Sequence, residues 1–329
     1  MTYTMNYKIT VGKYRVALLD SVTINKSVEN LTDTAVIVLP GTSLNKAIKV
    51  ENKIQTGDAV EIHLGYDDNM LLEFKGYLSN ISIDDSTIKL ECEDSLYLFK
   101  KSLKDRELKN ISLKNLLKTI VGDVNAINAE NKTPTNYTVD CSYEFTWDKF
   151  TLFKATALDV LKKVQDETKA NIYFEGETLH IHPPYSAVKN SKAVAFDFAR
   201  NIEKSDLKYV RAEDKKIEVE VTATLPNGKT EKVQYGKSGG EKHSVIAVNI
   251  DKASMVNRAK SEYNIWVYDG YEGNFTGWLI PYVEPAYKIS LHDSEYEYKN
   301  GNYYVIATET SFNSSGGVRK IGLGRKIGD

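Results

Sequence analysis

Apolar and polar residues alternate in short runs over the first hundred positions, the period-two signature of strands with one buried face. Residues 14–19, 21–27 and 34–39 are expected as strands, with Pro40-Gly41 stopping the third. Ala59-Val60-Glu61-Ile62-His63-Leu64 and Leu71-Leu72-Glu73-Phe74-Lys75-Gly76-Tyr77-Leu78 alternate on either side of Gly65-Tyr66-Asp67-Asp68-Asn69-Met70, whose residues tolerate positive φ or cap a turn. The stretch from Gly57 to Tyr77 therefore reads as a hairpin. Residues 80–85 end a strand in a turn, and 87–94 supply another. Strands this short and closely spaced, joined by hairpins, describe a small barrel or sandwich.

The period changes between about 102 and 185. Ser112-Leu113-Lys114-Asn115-Leu116-Leu117-Lys118-Thr119-Ile120-Val121 carries apolar residues at helical spacing, with Ser112 as N-cap and Gly122 as stop. A stronger helix is expected over 156–168, where Ala157, Leu158, Leu161 and Val164 fall on one stripe. Asn171-Ile172-Tyr173-Phe174 and Thr178-Leu179-His180-Ile181-His182 then form a tight hairpin about Glu175-Gly176-Glu177, closed by Pro183-Pro184. Residues 130–136 read as a surface loop.

Strand periodicity returns from about Val194. Residues 216–224 alternate cleanly, 225–229 turn into a strand at 231–235, and 237–242 are expected as a flexible tip. One helix should cover about 251–266, and strands are expected at 287–291, 303–308 and 318–323. The expected fold class is α+β, mostly β. Two small β-barrel domains, 1–100 and 191–329 (the latter with an inserted helix), flank a central α+β region at 101–190.

Composition narrows the function. A chain of 329 residues with 41% hydrophobic and 27% charged positions folds as a globular protein of two or three cores. A net charge of -2 gives no broad basic field for duplex binding. No apolar run approaches the roughly 18 residues that span a bilayer, so no membrane insertion or export is expected. The two cysteines, Cys92 and Cys141, stand far apart and read as free thiols of a reducing compartment, with Cys92 buried and inert. The 21 tyrosines suit strands and interfaces, where a ring buries area and its hydroxyl stays paired.

Candidate chemistry is sparse. His180 and His182 share a strand face and two imidazoles there could bind zinc, but the reading adopted is of two surface histidines, with no metal and no cofactor assigned. Tyr66-Asp67-Asp68-Asn69 lacks the spacing of a calcium loop. Glu91 and Glu93 lie on one face without an apposed carboxylate, which favours solvated charge or an intersubunit salt bridge over glycoside hydrolysis. Neither a G-x-S-x-G elbow nor a phosphate-binding loop occurs. No enzyme is expected.

The order of these signals resembles the tail hub family of contractile-tailed phages and related injection machines, the late control protein D group, which includes the N-terminal part of type VI secretion spike proteins. The positions that carry the resemblance are Gly57-Asp58, Gly65-Tyr66, Phe74 with Gly76-Tyr77, and Glu93-Asp94; then Ala157-Leu158-Asp159-Val160-Leu161, Tyr173-Phe174-Glu175-Gly176 and Leu179-His180-Ile181; and finally Gly273, Phe275 and Gly277, Gly301-Asn302-Tyr303-Tyr304-Val305 and Gly316-Gly317-Val318-Arg319-Lys320-Ile321. Where relatives often carry Pro-Gly before a late strand, this chain has Pro285-Ala286. The resemblance implies a homotrimer whose barrels alternate around a ring, adapting a sixfold tail tube to a threefold spike and lining the channel. Its implied partners are tail tube, spike, baseplate wedge and tape-measure proteins, with DNA only in transit. Its implied location is the virion tail baseplate, assembled in the host cytoplasm. Two other readings remain open: a hub-associated enzyme degrading peptidoglycan or glycan, and a monomeric glycan-binding β module built on Trp266, Tyr268, Tyr271 and Trp278.

Overall fold

The computed structural model describes residues 4–40, 53–84, 86–224 and 228–328, with strands over about 50% of the chain and helices over 18%. The mostly-β α+β class holds. Gly41, Asp85 and the 225–227 part of the expected turns lie outside the described residues.

The chain divides into two compact units, each built from separated segments: Met1–Tyr97, Lys189–Lys208 and Tyr271–Asp329 form the first, Leu98–Val188 and Tyr209–Gly270 the second. In the first, one hydrogen-bonded path runs Lys204–Ser205, Asn274–Trp278, Gly316–Ile327, Gly301–Asn313, Ser21–Ser27, Thr34–Pro40, Thr87–Glu93, Asn69–Ile83, Ala59–Tyr66, Met5–Val11 and Tyr14–Arg15. Closed, separate barrels are not what this pairing makes. Ser21–Ser27 is antiparallel to Gly301–Asn313, with Ser27 opposite Ala307 and Ser21 opposite Asn313, so both ends of the chain share one open sheet. Alternation tells a strand to bury one face but does not name its neighbour, and here the neighbour lies almost a chain length away. The expected strand over 14–19 shrinks to Tyr14–Arg15.

Inward residues of this sheet pack into one core: Ile9, Val22, Ile24, Ile37, Leu39, Val60, Ile62, Phe74, Leu78, Leu90 and Phe312 are nearly inaccessible. Cys92 lies among them, and burial pushes its thiol up to about 12, leaving an inert protonated group. Burying one Leu- or Phe-sized side chain is worth about 1.5–3 kcal/mol, so this cluster is the main stabilising element of the unit.

The second unit holds the helices. Helix α1 (Leu113–Glu130) is capped by Ser112, whose hydroxyl accepts from the Asn115 N–H, and it runs through Gly122 instead of stopping there. Gly122 faces solvent, and continuing buries Val124 and Asn128, which outweighs the ~1 kcal/mol that a mid-helix glycine costs. Helix α2 (Ala157–Thr168) starts with a Thr156/Asp159 capping box and ends on Lys169 in the left-handed region. Helix α3 (Lys252–Trp266) starts on Asp251. Three small sheets accompany them. Thr146–Leu152 pairs with Arg106–Ser112; the hairpin Asn171–Glu175/Thr178–His182 takes Thr138–Cys141 as a parallel third strand; and Ile217–Thr224 lies between Thr230–Gly236 and Glu241–Val248. The last of these strands starts inside the expected flexible tip at 237–242 and runs on through residues for which no element was expected. Among the described residues no helix is long and apolar enough to cross a membrane.

Candidate functional site

The Gly57–Tyr77 stretch is a hairpin, and its acidic centre is the turn itself. Asp67 and Asp68 both have positive φ, 50° and 64°, and bridge the Tyr66/Asn69 pair as a two-residue turn whose twist matches the strands. Their carboxylates are spent on the neighbouring strand: Asp67 Oδ1 accepts from the Thr4 N–H at 2.8 Å and Asp68 Oδ1 from the Asn6 amide at 3.1 Å. No ligand is needed to account for them.

The family-motif positions each hold a piece of this framework. Gly57 (φ 92°) donates to the Leu78 carbonyl at 2.7 Å, and Asp58 accepts from the Gln55 N–H at 2.9 Å. Gly65 lies so close to its partner strand that a Cβ would come within 2.0 Å of the Asn69 carbonyl oxygen; at Gly76 the corresponding approach is 2.1 Å to Glu93 O. Phe74 is in the core, Tyr77 stacks on Tyr97 at 5.7 Å, and Glu93 pairs in register with both Thr34 and Tyr77. Asp94 is buried and accepts from the backbone N–H of Leu96 and of Asp33. In the C-terminal strands, Gly273 (φ 101°) fits against the Asp206 backbone, Phe275 packs edge-on to Phe196 at 4.9 Å, and Gly277 abuts Asn201. Tyr66 joins the two groups: its hydroxyl donates to the Gly317 carbonyl at 2.8 Å and its ring lies against Trp278.

Two buried charge clusters in the same unit escaped the sequence reading. Arg319, fully buried, donates to Glu73, to the Leu279 carbonyl at 2.6 Å and to Thr310 at 3.3 Å, and stacks over the Tyr282 ring. Glu73 turns inward because the ladder slips between Ile62 and His63: Ile62 faces Phe74 while His63 faces Leu72, so Glu73 is an extra residue and both it and Phe74 are buried. Leu72, inward in a strict alternation, is left exposed.

The second cluster pairs Glu284 with Lys26 at 3.4 Å and Lys189 at 3.3 Å. Burial opposes ionisation of Glu284, but the two ammonium groups more than offset it and hold its carboxyl below the ordinary value. Beside it, burial lifts Asp33 to about 6 against the pull of Lys26, and lifts Asp94 well above the ordinary carboxylate value, with the Asp33 charge adding to the effect.

The glycan-directed alternatives find no assembled site among the described residues. Glu91 is tied to Lys89 at 2.7 Å and to Asn80, and these bonds lower its pKa, the reverse of what a general acid requires. The four aromatic residues of a glycan groove pack separately: Trp266 on His243, Tyr268 beneath Lys215, Tyr271 on Tyr303 and Trp278 by Tyr66. His180 and His182 are not surface residues. His182 is buried and His180 nearly so, and Asp140 of the adjacent strand joins them.

The fold is one shared by phage tail proteins. Over 98% of this chain and 97% of theirs, the structure superposes on a tail protein from Neisseria meningitidis MC58 with a TM-score of 0.67 at 13% identity. The 43 kDa tail protein of prophage MuSo2 from Shewanella oneidensis matches with a TM-score of 0.63 at 15% identity, covering 97% of each chain. An Escherichia coli component of the type VI secretion system, described as structurally similar to T4 tail proteins gp27 and gp5, matches with a TM-score of 0.60 at 8% identity over 98% of this chain and 77% of its own. No family model matches the sequence, and no curated protein matches it. These solved structures are the phage tail and type VI secretion proteins that the residue pattern resembles.

Proposed function

We propose that the chain is a structural protein of a phage-type tail, and within that class a baseplate hub: a homotrimeric ring that adapts a sixfold tube to a threefold spike and lines the central channel. Its partners on this reading are tail tube, spike, baseplate wedge and tape-measure proteins, with DNA only passing through, and its place is the virion tail baseplate after assembly in the host cytoplasm. The segments 1–100 and 191–329 act as the two related halves presented to the tube, with 101–190 between them. The motif glycines and aromatics from Gly57 to Gly277 hold the strands that present those surfaces.

The observation that carries this reading is the end-to-end likeness to tail proteins. An exposed strand edge supports it. Glu241–Val248 is the outer strand of its sheet, and Ile246 is 85% and Val248 54% exposed on its outward face. Such an edge templates further pairing unless another chain covers it.

Light scattering with negative-stain imaging of the purified chain tests the proposal. A mass near three times 37.1 kDa, with a ring and axial hole, is expected, and Ile246→Asp should shift the species towards monomer with its circular dichroism unchanged. A wild-type monomer at every concentration overturns the hub reading and moves lytic and glycan-binding assays forward.

A further inference from the structure

The strand Thr178–His182 carries His180 and His182 on one face, and its parallel neighbour Thr138–Cys141 places Asp140 directly opposite His180. His180 Nδ1 lies 3.2 Å from Asp140 Oδ2, His182 Nε2 lies 3.4 Å from His180 Nδ1, and His182 Nε2 lies 3.7 Å from Asp140 Oδ2. A tetrahedral zinc with bonds of about 2.0–2.1 Å sets neighbouring donor atoms about 3.3–3.4 Å apart. The three atoms thus outline one face of such a tetrahedron, and a point about 2.1 Å from all of them exists beside that face.

The surroundings are those of a ligand set. Ser142 Oγ lies 2.7 Å from His182 Nδ1; with the hydroxyl accepting that N–H, the ring is fixed and presents a bare Nε2 to the cluster. His180 is clamped by stacking on Tyr173 at 5.2 Å and 12°, and its outer Nε2 faces the Glu175 carboxylate at 3.7 Å. The imidazoles are shielded, with side-chain exposures of 17% and 8%, whereas Asp140 is 56% exposed. A fourth coordination position therefore opens towards solvent on the Asp140 side.

We propose that Asp140, His180 and His182 form a binding site for one divalent transition metal of the zinc type, tying the hairpin to its parallel neighbour and leaving one position for water or a donor from another chain. Two imidazoles and one carboxylate suit zinc and its borderline neighbours and not calcium or magnesium, which take oxygen ligands. The site is independent of the tail reading, and its test does not require assembly.

The full chain, stripped with a chelator and dialysed against zinc, is assayed by elemental mass spectrometry and by competition with a chromophoric chelator. One zinc per chain is expected, with a rise in melting temperature on loading. Asp140→Asn, at an exposed position that leaves folding intact, should weaken binding at least tenfold; His182→Ala should abolish it, and His63→Ala should change nothing. Ser142→Ala should keep one site but weaken it about 10- to 100-fold. Cobalt loading should give the intense visible bands of a tetrahedral ion. No zinc in the wild type, or an affinity in the chelator competition that is equal for the wild type and Asp140→Asn, overturns the assignment.

Discussion

Replacing Arg319 by methionine keeps an unbranched apolar stem but withdraws the guanidinium from Glu73, the Leu279 carbonyl and Thr310. Glu73 is only 3% exposed, so its carboxylate is left in the core without a counter-charge. Breaking a buried pair by removing one partner costs about 3–5 kcal/mol, and the carbonyl left without a donor pushes the loss towards the upper end. A loss of about 4 kcal/mol corresponds to roughly a thousandfold in the opening equilibrium. Hydrogen exchange followed by mass spectrometry reads this locally, in peptides spanning Asn69–Ile83 and Gly301–Asn313, whose most protected amides should speed up by about that factor. The double variant Glu73→Leu/Arg319→Met should recover most of the loss, because apolar replacement of a whole buried pair is often neutral or stabilising. Exchange in the single variant within about tenfold of wild type, or a double variant as labile as the single, refutes the account of this cluster as a coupled buried charge.

Two further outcomes follow from positions described above. Asp33 sits at about 6 in the fold against 3.8 ordinarily, so the folded chain keeps a proton that the unfolded chain releases; stability should fall as pH rises from about 4 to 6, with up to ~3 kcal/mol of the fall due to Asp33 and more to the raised Asp94 beside it, and Asp33→Asn, which retains an oxygen for the Ser27 N–H, should make that slope shallower in urea titrations. A slope unchanged in Asp33→Asn contradicts the assignment. Gly76→Ala forces a Cβ onto the Glu93 backbone and should cost about 1–3 kcal/mol, whereas Gly122→Ala, with open space around it in a helix, should gain about 0.5–1 kcal/mol; thermal melts showing the same sign for both would count against the close-approach argument.

Local signals in this chain were readable because they are local in physics. Ser112, Thr156 and Asp251 cap their helices through side-chain bonds spanning three residues; Ser112 was legible as a cap, and the other two as the starts of helices. The Asp67-Asp68 turn is similarly evident. What stayed hidden depends on distant partners or on a slipped register. Nothing near residue 27 names residue 307 as its neighbour, and the bulge that turns Glu73 inward leaves no local mark. Asp140 could not be joined to His180 and His182 without knowing that their strands run parallel. Glu241–Val248 was missed because Val245-Ile246-Ala247-Val248 puts apolar residues on both faces and so shows no alternation. The Pro285-Ala286 departure proves informative: Ala286 is fully buried at φ 66°, so an alanine holds the left-handed backbone that glycine occupies at little cost.

The ladder between Ser21–Ser27 and Gly301–Asn313 also sets a schedule for the ribosome. At about 5–20 residues per second, the first of these strands leaves the exit tunnel some 15–60 seconds before its mate is made. During that interval one side of a strand that buries Val22 and Ile24 has no hydrogen-bonding partner in the nascent chain, and a product cut short before Gly301 can never acquire one. Quality control of this protein during synthesis is thus tied to the completion of Gly301–Asn313.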